Sequence, residues 1–372
     1  MQTILITGAK GFIGRNLIQT LKTQTNYSII PFDADNTEDD LIDGINKSDL
    51  IIHLAGVNRA QSTDDFVKVN VNLTHKLLTT LKMLNKNIPI LATSSIQATL
   101  DNPYGKSKKK MEDLILSWTM ETKNKAFIYR LPNVFGKWCK PNYNSVIATF
   151  CYNIAHDLPL NIHDPEKLLA LAYIDDVIHA FCNTLAHLDD LSTGFYSVSP
   201  IYSVSLKEVA DKLTSLVSFK NELLSPNLNN DFDKALYATY LSYVDPDKLS
   251  NELIMHTNDR GWLSEFIKSR EVGQIFISKT LPGITRGNHW HQTKVEKFLV
   301  ICGLAHIRLR HIQSEKVIDY IVSDKKLQAI DIPPGYTHSI ENIGSNDLIT
   351  LFWASEVFDP NSSDTYYEEV LL

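Results

Sequence analysis

The sequence predicts a doubly wound, parallel α/β domain followed by an all-β barrel, and three observations carry that expectation. The first half alternates short apolar runs with amphipathic stretches, the pattern of parallel strands covered by helices on both faces. A glycine-rich turn joins the first apolar run to the first amphipathic stretch. From Val272 onward helical periodicity gives way to short alternating strands, punctuated by Pro282-Gly283, Pro333-Pro334-Gly335 and Gly344-Ser345-Asn346. The boundary is expected around Asp245-Pro246-Asp247, giving an N-terminal domain over residues 1–245 and a C-terminal domain over 246–372.

In chain order, residues 4–6 read as a strand, 16–22 as a helix, 27–32 as a second strand and 50–54 as a third. Residues 66–84 are long enough for a crossover helix, and 88–92 form a fourth strand. The pattern continues through 126–134 and then loosens into a mixed region ending near Tyr243, with 223–228 read as a loop. In the second grammar, Phe298, Val300 and Cys302 share one face, and after Gly303 the residues Ile307 and Leu309 alternate with His306, Arg308 and Arg310. There is no internal repeat and no low-complexity segment.

Composition narrows the function. A chain of 372 residues is too long for one ordinary core. Its net charge of -7 offers no basic footprint for nucleic acid. No apolar run approaches the length of a membrane span, and the first residues read as a strand entering a turn rather than a targeting segment. The four cysteines, Cys139, Cys151, Cys182 and Cys302, have no paired spacing and read as reduced, mostly buried thiols of a cytoplasmic protein.

Two constellations carry chemistry. In Thr7-Gly8-Ala9-Lys10-Gly11-Phe12-Ile13-Gly14, Gly8 supplies a tight turn, Gly11 lets the backbone approach a pyrophosphate, and Gly14 permits close helix–strand packing. The helix N-terminus that follows presents free N–H groups to an anion. Downstream, the spacing of Tyr104 and Lys108 puts both on one helix face. A lysine cation beside a phenol would lower its pKa and make it a workable proton donor to a carbonyl under reduction. Thr93-Ser94-Ser95 follows the fourth strand, where a hydroxyl can polarise the same carbonyl; Ser95 is favoured over Ser94 from its distance past the strand. For the nucleotide, Asp33 closes the second strand where a carboxylate accepts from the ribose of NAD. Lys10 and Arg15 stand where they can pair with the 2′-phosphate of NADP, so residues alone leave NAD(H) and NADP(H) both open.

In the second half, His289 and His291 point to one side of a strand because the side-chain period is two. Glu296 and the distant His338 complete a set of three imidazoles and a carboxylate. Such a set suits zinc or another divalent transition metal, and the lack of thiolates argues against a purely structural zinc. Trp290, between the histidines, is expected to face away into packing. No base for proton abstraction stands out; His306, His311, Tyr336 and Lys297 are candidates and none is assigned.

Residues 1–243 resemble the extended short-chain dehydrogenase/reductase family. The resemblance rests on the glycine loop, His53-Leu54-Ala55-Gly56, Asn70, the Tyr104/Lys108 pair, Arg130-Leu-Pro-Asn133-Val-Phe-Gly136 and Tyr173-Ile-Asp175-Asp176-Val177. It implies a Rossmann-type fold, an NAD(P)(H) cofactor and a sugar-nucleotide substrate. It further implies Ser95, Tyr104 and Lys108 as the catalytic set, nucleotide contacts at Gly8, Lys10, Gly11, Phe12, Ile13, Gly14, Arg15, Asp33, Leu54, Ala55, Gly56 and Asn70, and Asn133 at the substrate diphosphate. The run Gly283…His289-x-His291…Glu296…Gly303 and the run Pro333-x-Gly335…His338…Asn342 resemble both motifs of the cupin superfamily, except that Leu327 stands where the second motif begins with glycine. That implies a jelly-roll barrel with a metal.

The fusion is similar to a family of bifunctional capsular polysaccharide enzymes over the whole chain. This implies C3 epimerisation of a UDP-2-acetamido-2,6-dideoxy-4-ketohexose by the barrel. Reduction at C4 with NADPH by the first domain would then give UDP-N-acetyl-6-deoxy-L-talosamine, on the route to UDP-N-acetyl-L-fucosamine. It also implies zinc, NADP rather than NAD, and a homodimer. The alternative is a 4-ketoreductase whose barrel is structural and dimerising.

Overall fold

A computed structural model describes residues 1–59 and 62–372, apart from the side chains of Thr63 and Asn221. The chain forms two compact units: residues 1–213 with 231–245, and residues 214–230 with 246–372.

The first unit is built on a six-stranded parallel sheet. Its order is Tyr27–Phe32, Gln2–Thr7, Leu50–His53, Ile90–Ser95, Ala126–Leu131 and Gly194–Tyr196. Strand alternation sends Ile4 and Ile6 to one face, against Leu17 and Leu21 of the helix Phe12–Lys22. Leu5 and Ile51 go to the other, against Leu77, Leu81, Met111 and Ile115. Both faces are therefore buried, which is why the strands read as continuous apolar runs. The strand order turns back beside Gln2–Thr7, where open α/β sheets leave a crevice for a nucleotide. A smaller sheet pairs Asn133–Phe135 with Leu168–Tyr173 in parallel and the latter with Tyr202–Ser205 antiparallel.

Several boundaries differ from the sequence reading. The first helix begins at Phe12 rather than 16, because Gly11 is its N-cap and no capping side chain announces the start. The fourth strand runs Ile90–Ser95 instead of ending at 92, since Ser94 and Ser95 still pair with Arg130 and Leu131. The crossover comprises Thr63–Phe66 and Leu73–Met83 joined by a π-helical segment, Val67–Asn72, a widened turn that periodicity does not reveal.

The second unit consists of two antiparallel sheets facing each other across a core of Phe298, Val300, Ile307, Leu309, Ile340 and Phe352, the jelly-roll arrangement. Its strands begin at Met255, well before Val272; Met255–Asn258 is exposed throughout and so lacks the apolar alternation that marks a strand. A bulge between Val300 and Cys302 takes Cys302 out of the core face and leaves it exposed. Of the four cysteines only Cys151 is buried, fewer than expected. Arg310, read as an outward residue, is buried, with Nε donating to the Val370 carbonyl at 3.0 Å and Nη2 to Glu368 Oε1 at 2.8 Å. Residues 214–230 contribute the end of helix Leu206–Asn221 and a loop whose Leu224 bridges to Lys268. Among the described residues no helix is long and apolar enough to cross a membrane.

Candidate active site and metal centre

The glycine loop sits at the crevice of the parallel sheet. A Cβ on Gly14 would lie 2.3 Å from the Gly8 carbonyl oxygen, so only glycine lets the helix start so close to the strand end. The loop residues Gly8, Lys10, Gly11, Phe12, Ile13, Gly14 and Arg15 line one wall of a cavity of about 470 Å³. Leu54 and Gly56 line it from the end of the third strand, Ser95, Tyr104 and Lys108 from the fourth strand and following helix, and Asn133 from beyond the fifth. Thus most of the expected residues, drawn from distant stretches, share one cavity.

Three expected contacts lie elsewhere. Ala55 packs its backbone beneath Gly8. Asn70 is fully buried: its amide donates to the Val57 carbonyl at 3.0 Å and to Ser107 Oγ at 2.9 Å, and its oxygen accepts from Val57 N. It ties the loop after the third strand to the Tyr104–Lys108 helix and does not line the cavity. Asp33 accepts from Lys10 N at 2.7 Å and Ala34 N at 2.8 Å, bracing the glycine loop. The cations expected at a 2′-phosphate are also engaged: Lys10 pairs with Asp35, both exposed, and Arg15 Nη2 donates to the Trp138 carbonyl at 2.6 Å.

The strand end is joined to the helix Pro103–Thr122 at consecutive residues. Lys108 Nζ donates to the Thr93 carbonyl at 3.0 Å, Ser94 Oγ donates to Glu112 Oε1 at 2.6 Å, and Ser95 Oγ accepts from Gln97 N at 3.2 Å on the cavity wall it shares with Tyr104. Glu112 is fully buried and takes a two-pronged grip from Arg130, at 2.9 Å and 2.7 Å. Ser94 is therefore committed to the scaffold, while Ser95 faces the phenol. The electrostatics depart from the expectation. Burial raises the Tyr104 pKa, opposed only by the neighbouring Ser95, and no lowering by Lys108 is seen. Burial pulls Lys108 down to about 8, with Glu112 acting against it. The sequence reading also missed Gln97, Trp138 and Tyr143 on the cavity wall; the aromatic residues that closely follow Gly136 were the available signal.

In the barrel, His289 pairs in register with His338 across adjacent strands, and their rings are 4.5 Å apart. His291 and Glu296 follow from the next turn and strand, and one ligand atom from each of the four lies within 4.8 Å of the others. His291 Nε2 is 3.3 Å and His338 Nε2 3.1 Å from Glu296 Oε2. These three atoms are buried without the angular geometry of a hydrogen bond. Leaving such groups unsatisfied costs about 1–3 kcal/mol each, a cost that a shared cation removes. The residues therefore fit a divalent metal. His291 Nδ1 donates to the Asp364 carbonyl, which aims the Nε2 lone pair at the cluster centre. Burial and the neighbouring His338 lower His289 to about 4, keeping it a neutral ligand. Burial works to raise Glu296, but His291 and His338 outweigh it and hold the carboxyl far below its ordinary range. Trp290 stacks on Tyr366 at 4.8 Å, away from the ligands as expected. Of the candidate bases, His306 pairs with Asp319 and Lys297 pairs with Asp331.

Comparison with known proteins agrees with this division. Residues 4–198 match the NAD dependent epimerase/dehydratase family, and residues 256–366 match the polysaccharide biosynthesis C-terminal domain. A UDP-2-acetamido-2,6-beta-L-arabino-hexul-4-ose reductase from Pseudomonas aeruginosa is 38% identical, covering 98% of this chain and 97% of that protein. The crystal structure of the capsular polysaccharide assembling protein CapF from Staphylococcus aureus is similar at a TM-score of 0.92 and 45% identity, covering 99% of this chain and 100% of that one. A UDP-glucuronic acid 4-epimerase from Bacillus cereus, solved with NAD, shares the fold at 19% identity and a TM-score of 0.57, covering 65% of this chain and 98% of that one. The chain belongs to the NAD dependent epimerase/dehydratase family and, over its full length, to the CapF family of nucleotide-sugar reductases of capsular polysaccharide biosynthesis.

Proposed function

We propose that the protein acts twice on one sugar nucleotide, inverting C3 of a UDP-2-acetamido-2,6-dideoxy-4-ketohexose in the barrel and reducing C4 in the α/β unit with NADPH. The observation that carries the reading is that Ser95, Tyr104 and Lys108 line one cavity together with the glycine loop. A second, chemically distinct set of convergent groups in the barrel supports the second activity. The Pseudomonas aeruginosa relative is named as a reductase of a UDP-linked 4-ulose, the kind of ketone that Tyr104 is equipped to protonate.

In this mechanism NADPH, when bound, supplies hydride to C4. Ser95 polarises the ketone, Tyr104 gives its proton to the developing alkoxide, and Lys108, held on the Thr93 carbonyl, brings positive charge to the same cavity. Asn133 meets the diphosphate. Lys10 is the loop cation assigned to a 2′-phosphate, because its ion pair with Asp35 is solvent-exposed and so costs little to exchange. In the barrel, the C4 ketone acidifies the C3 proton; zinc, when held by His289, His291, Glu296 and His338, supplies Lewis acidity near the carbonyl oxygen. The product, UDP-N-acetyl-6-deoxy-L-talosamine, leads to UDP-N-acetyl-L-fucosamine.

One observation favours a second reading. His291, Glu296 and His338 are all buried, as in a closed structural site, which would make the barrel a scaffold and a homodimer interface. Proton NMR in D₂O separates the two. Deuterium entering C3 without NADPH, and a C4-reduced, C3-inverted sugar with it, is the expected result. Reduction with no exchange at C3 leaves a ketoreductase with a structural barrel.

A further inference from the structure

We propose that Asp364 is the positioning residue of the metal centre, acting on both halves of its ligand set at once; this rests on the reading that the cluster binds a metal. His291 and Glu296 are joined by a short loop between the strands Thr285–Trp290 and Glu296–Cys302. A loop cannot by itself hold two ligands in fixed relation. Here three consecutive backbone N–H groups of that loop turn onto one carboxylate. Gln292 N donates to Asp364 Oδ1 at 2.8 Å, and Thr293 N and Lys294 N donate to Oδ2, both at 2.9 Å. The Thr293 hydroxyl adds a fourth bond to Oδ2 at 3.1 Å. The backbone carbonyl of the same residue accepts from His291 Nδ1. The side chain thus fixes the loop that carries His291 and leads into Glu296, while the main chain sets the tautomer and direction of the His291 ring.

The segment after Asp364 extends the arrangement to the other ligands. Tyr367 pairs in register with His289. Glu368 N donates to the Asn288 carbonyl at 3.0 Å, and Thr337, beside His338, donates its hydroxyl to the Glu368 carbonyl. The buried Arg310 donates to Glu368 Oε1 and to the Glu369 and Val370 carbonyls, clamping the segment from below. Asp364 stands where this strap begins, so its loss releases the strap from the ligand loop.

The test uses the full chain carrying D364A or D364N, with zinc as the probe. Zinc affinity is measured by competition against a chromophoric chelator, and melting temperature is measured with and without zinc. D364A is expected to bind zinc about 10- to 100-fold more weakly, the range for loss of a group that orients metal ligands, and D364N to fall between it and the parent. The zinc-induced rise in melting temperature should shrink in step. If D364A does not fold, D364N, which keeps the volume and one acceptor oxygen, carries the test. Parent-like affinity in the variants overturns the proposal, as does an equal loss of melting temperature in zinc-free and zinc-loaded protein. A parent chain that takes up no zinc overturns the metal reading itself.

Discussion

The two candidate sites treat their buried polar groups in opposite ways. In the α/β unit, Lys108, Ser94 and Glu112 are buried and each has a protein partner: the Thr93 carbonyl, one carboxylate oxygen and the Arg130 guanidinium. In the barrel, three equally buried atoms of His291, Glu296 and His338 point at one another and make no hydrogen bond. The first arrangement is complete without a ligand and is suited to substrates that come and go. The second is one that a shared cation would complete. The comparison teaches that a site for a diffusing substrate is built from satisfied groups, with only the reacting hydroxyls left to the cavity, whereas a site for a resident ion is built from groups the fold leaves wanting.

Four experiments break or sharpen that contrast. The largest effect is expected from Tyr104→Phe, which removes the proton donor and should slow C4 reduction by roughly 100- to 10 000-fold, read as NADPH oxidation. Deuterium exchange at C3 should continue, since that chemistry is assigned to the other unit. Next comes His338→Ala. Loss of a ligand should weaken zinc binding by more than the ~10–100-fold that a supporting group costs, and C3 exchange should fall with it. Reduction of a ketone supplied already inverted at C3 should be unchanged; if it falls equally, the units are not independent.

The third is a pH profile. Burial lowers Lys108 to about 8, so its ammonium is present below that pH and lost above it. The reduction rate should fall toward tenfold per unit as pH rises past about 8, and the limb should vanish in Lys108→Met. Stability moves with the opposite sign. Between about 8 and the unperturbed lysine value of about 10.4, the unfolded chain holds a proton the native one has released, so this group's contribution to stability rises with pH. The smallest effect is expected from Lys10→Met. Its ion pair with Asp35 is exposed, so the KM for NADPH should rise only a few-fold with kcat unchanged. No change in the preference for NADPH over NADH would assign the 2′-phosphate to another group.

What could be read from the sequence divides along physical lines. The parallel sheet and the glycine loop were legible because strand burial and close helix approach leave compositional marks that are local in the chain. The clustering of His289 and His291 was legible because a period of two puts them on one side. The π-helical segment Val67–Asn72 was not, because one widened turn barely alters apolar spacing. The bulge at Cys302 was hidden for the same reason: one inserted residue reverses the facing of the strand beyond it without changing its composition. Arg15 and Lys10 were read by charge alone, yet their partners, the Trp138 carbonyl and Asp35, depend on where the chain returns. Asp364 had no motif at all. Its contacts reach back to residues 291–294 through backbone N–H groups, which every residue but proline possesses and which therefore leave no trace in the side-chain pattern.

The chain enters the second unit twice, and this sets a timetable for its synthesis. Residues 214–230 belong to that unit, while 231–245 return to the first. On the ribosome the glycine loop and the Tyr104 helix emerge early, but the α/β unit is not complete until Asp245, just past the helix Asp231–Leu241, has been made. The stretch around Leu224 then waits without its pairing partner until Lys268 follows. A single proteolytic cut cannot release either unit intact, and a C-terminal fragment beginning at Pro246 would lack residues 223–225, which exchange backbone hydrogen bonds with Lys268. The connectivity thus ties two chemically separate halves together through more than one crossing of the chain.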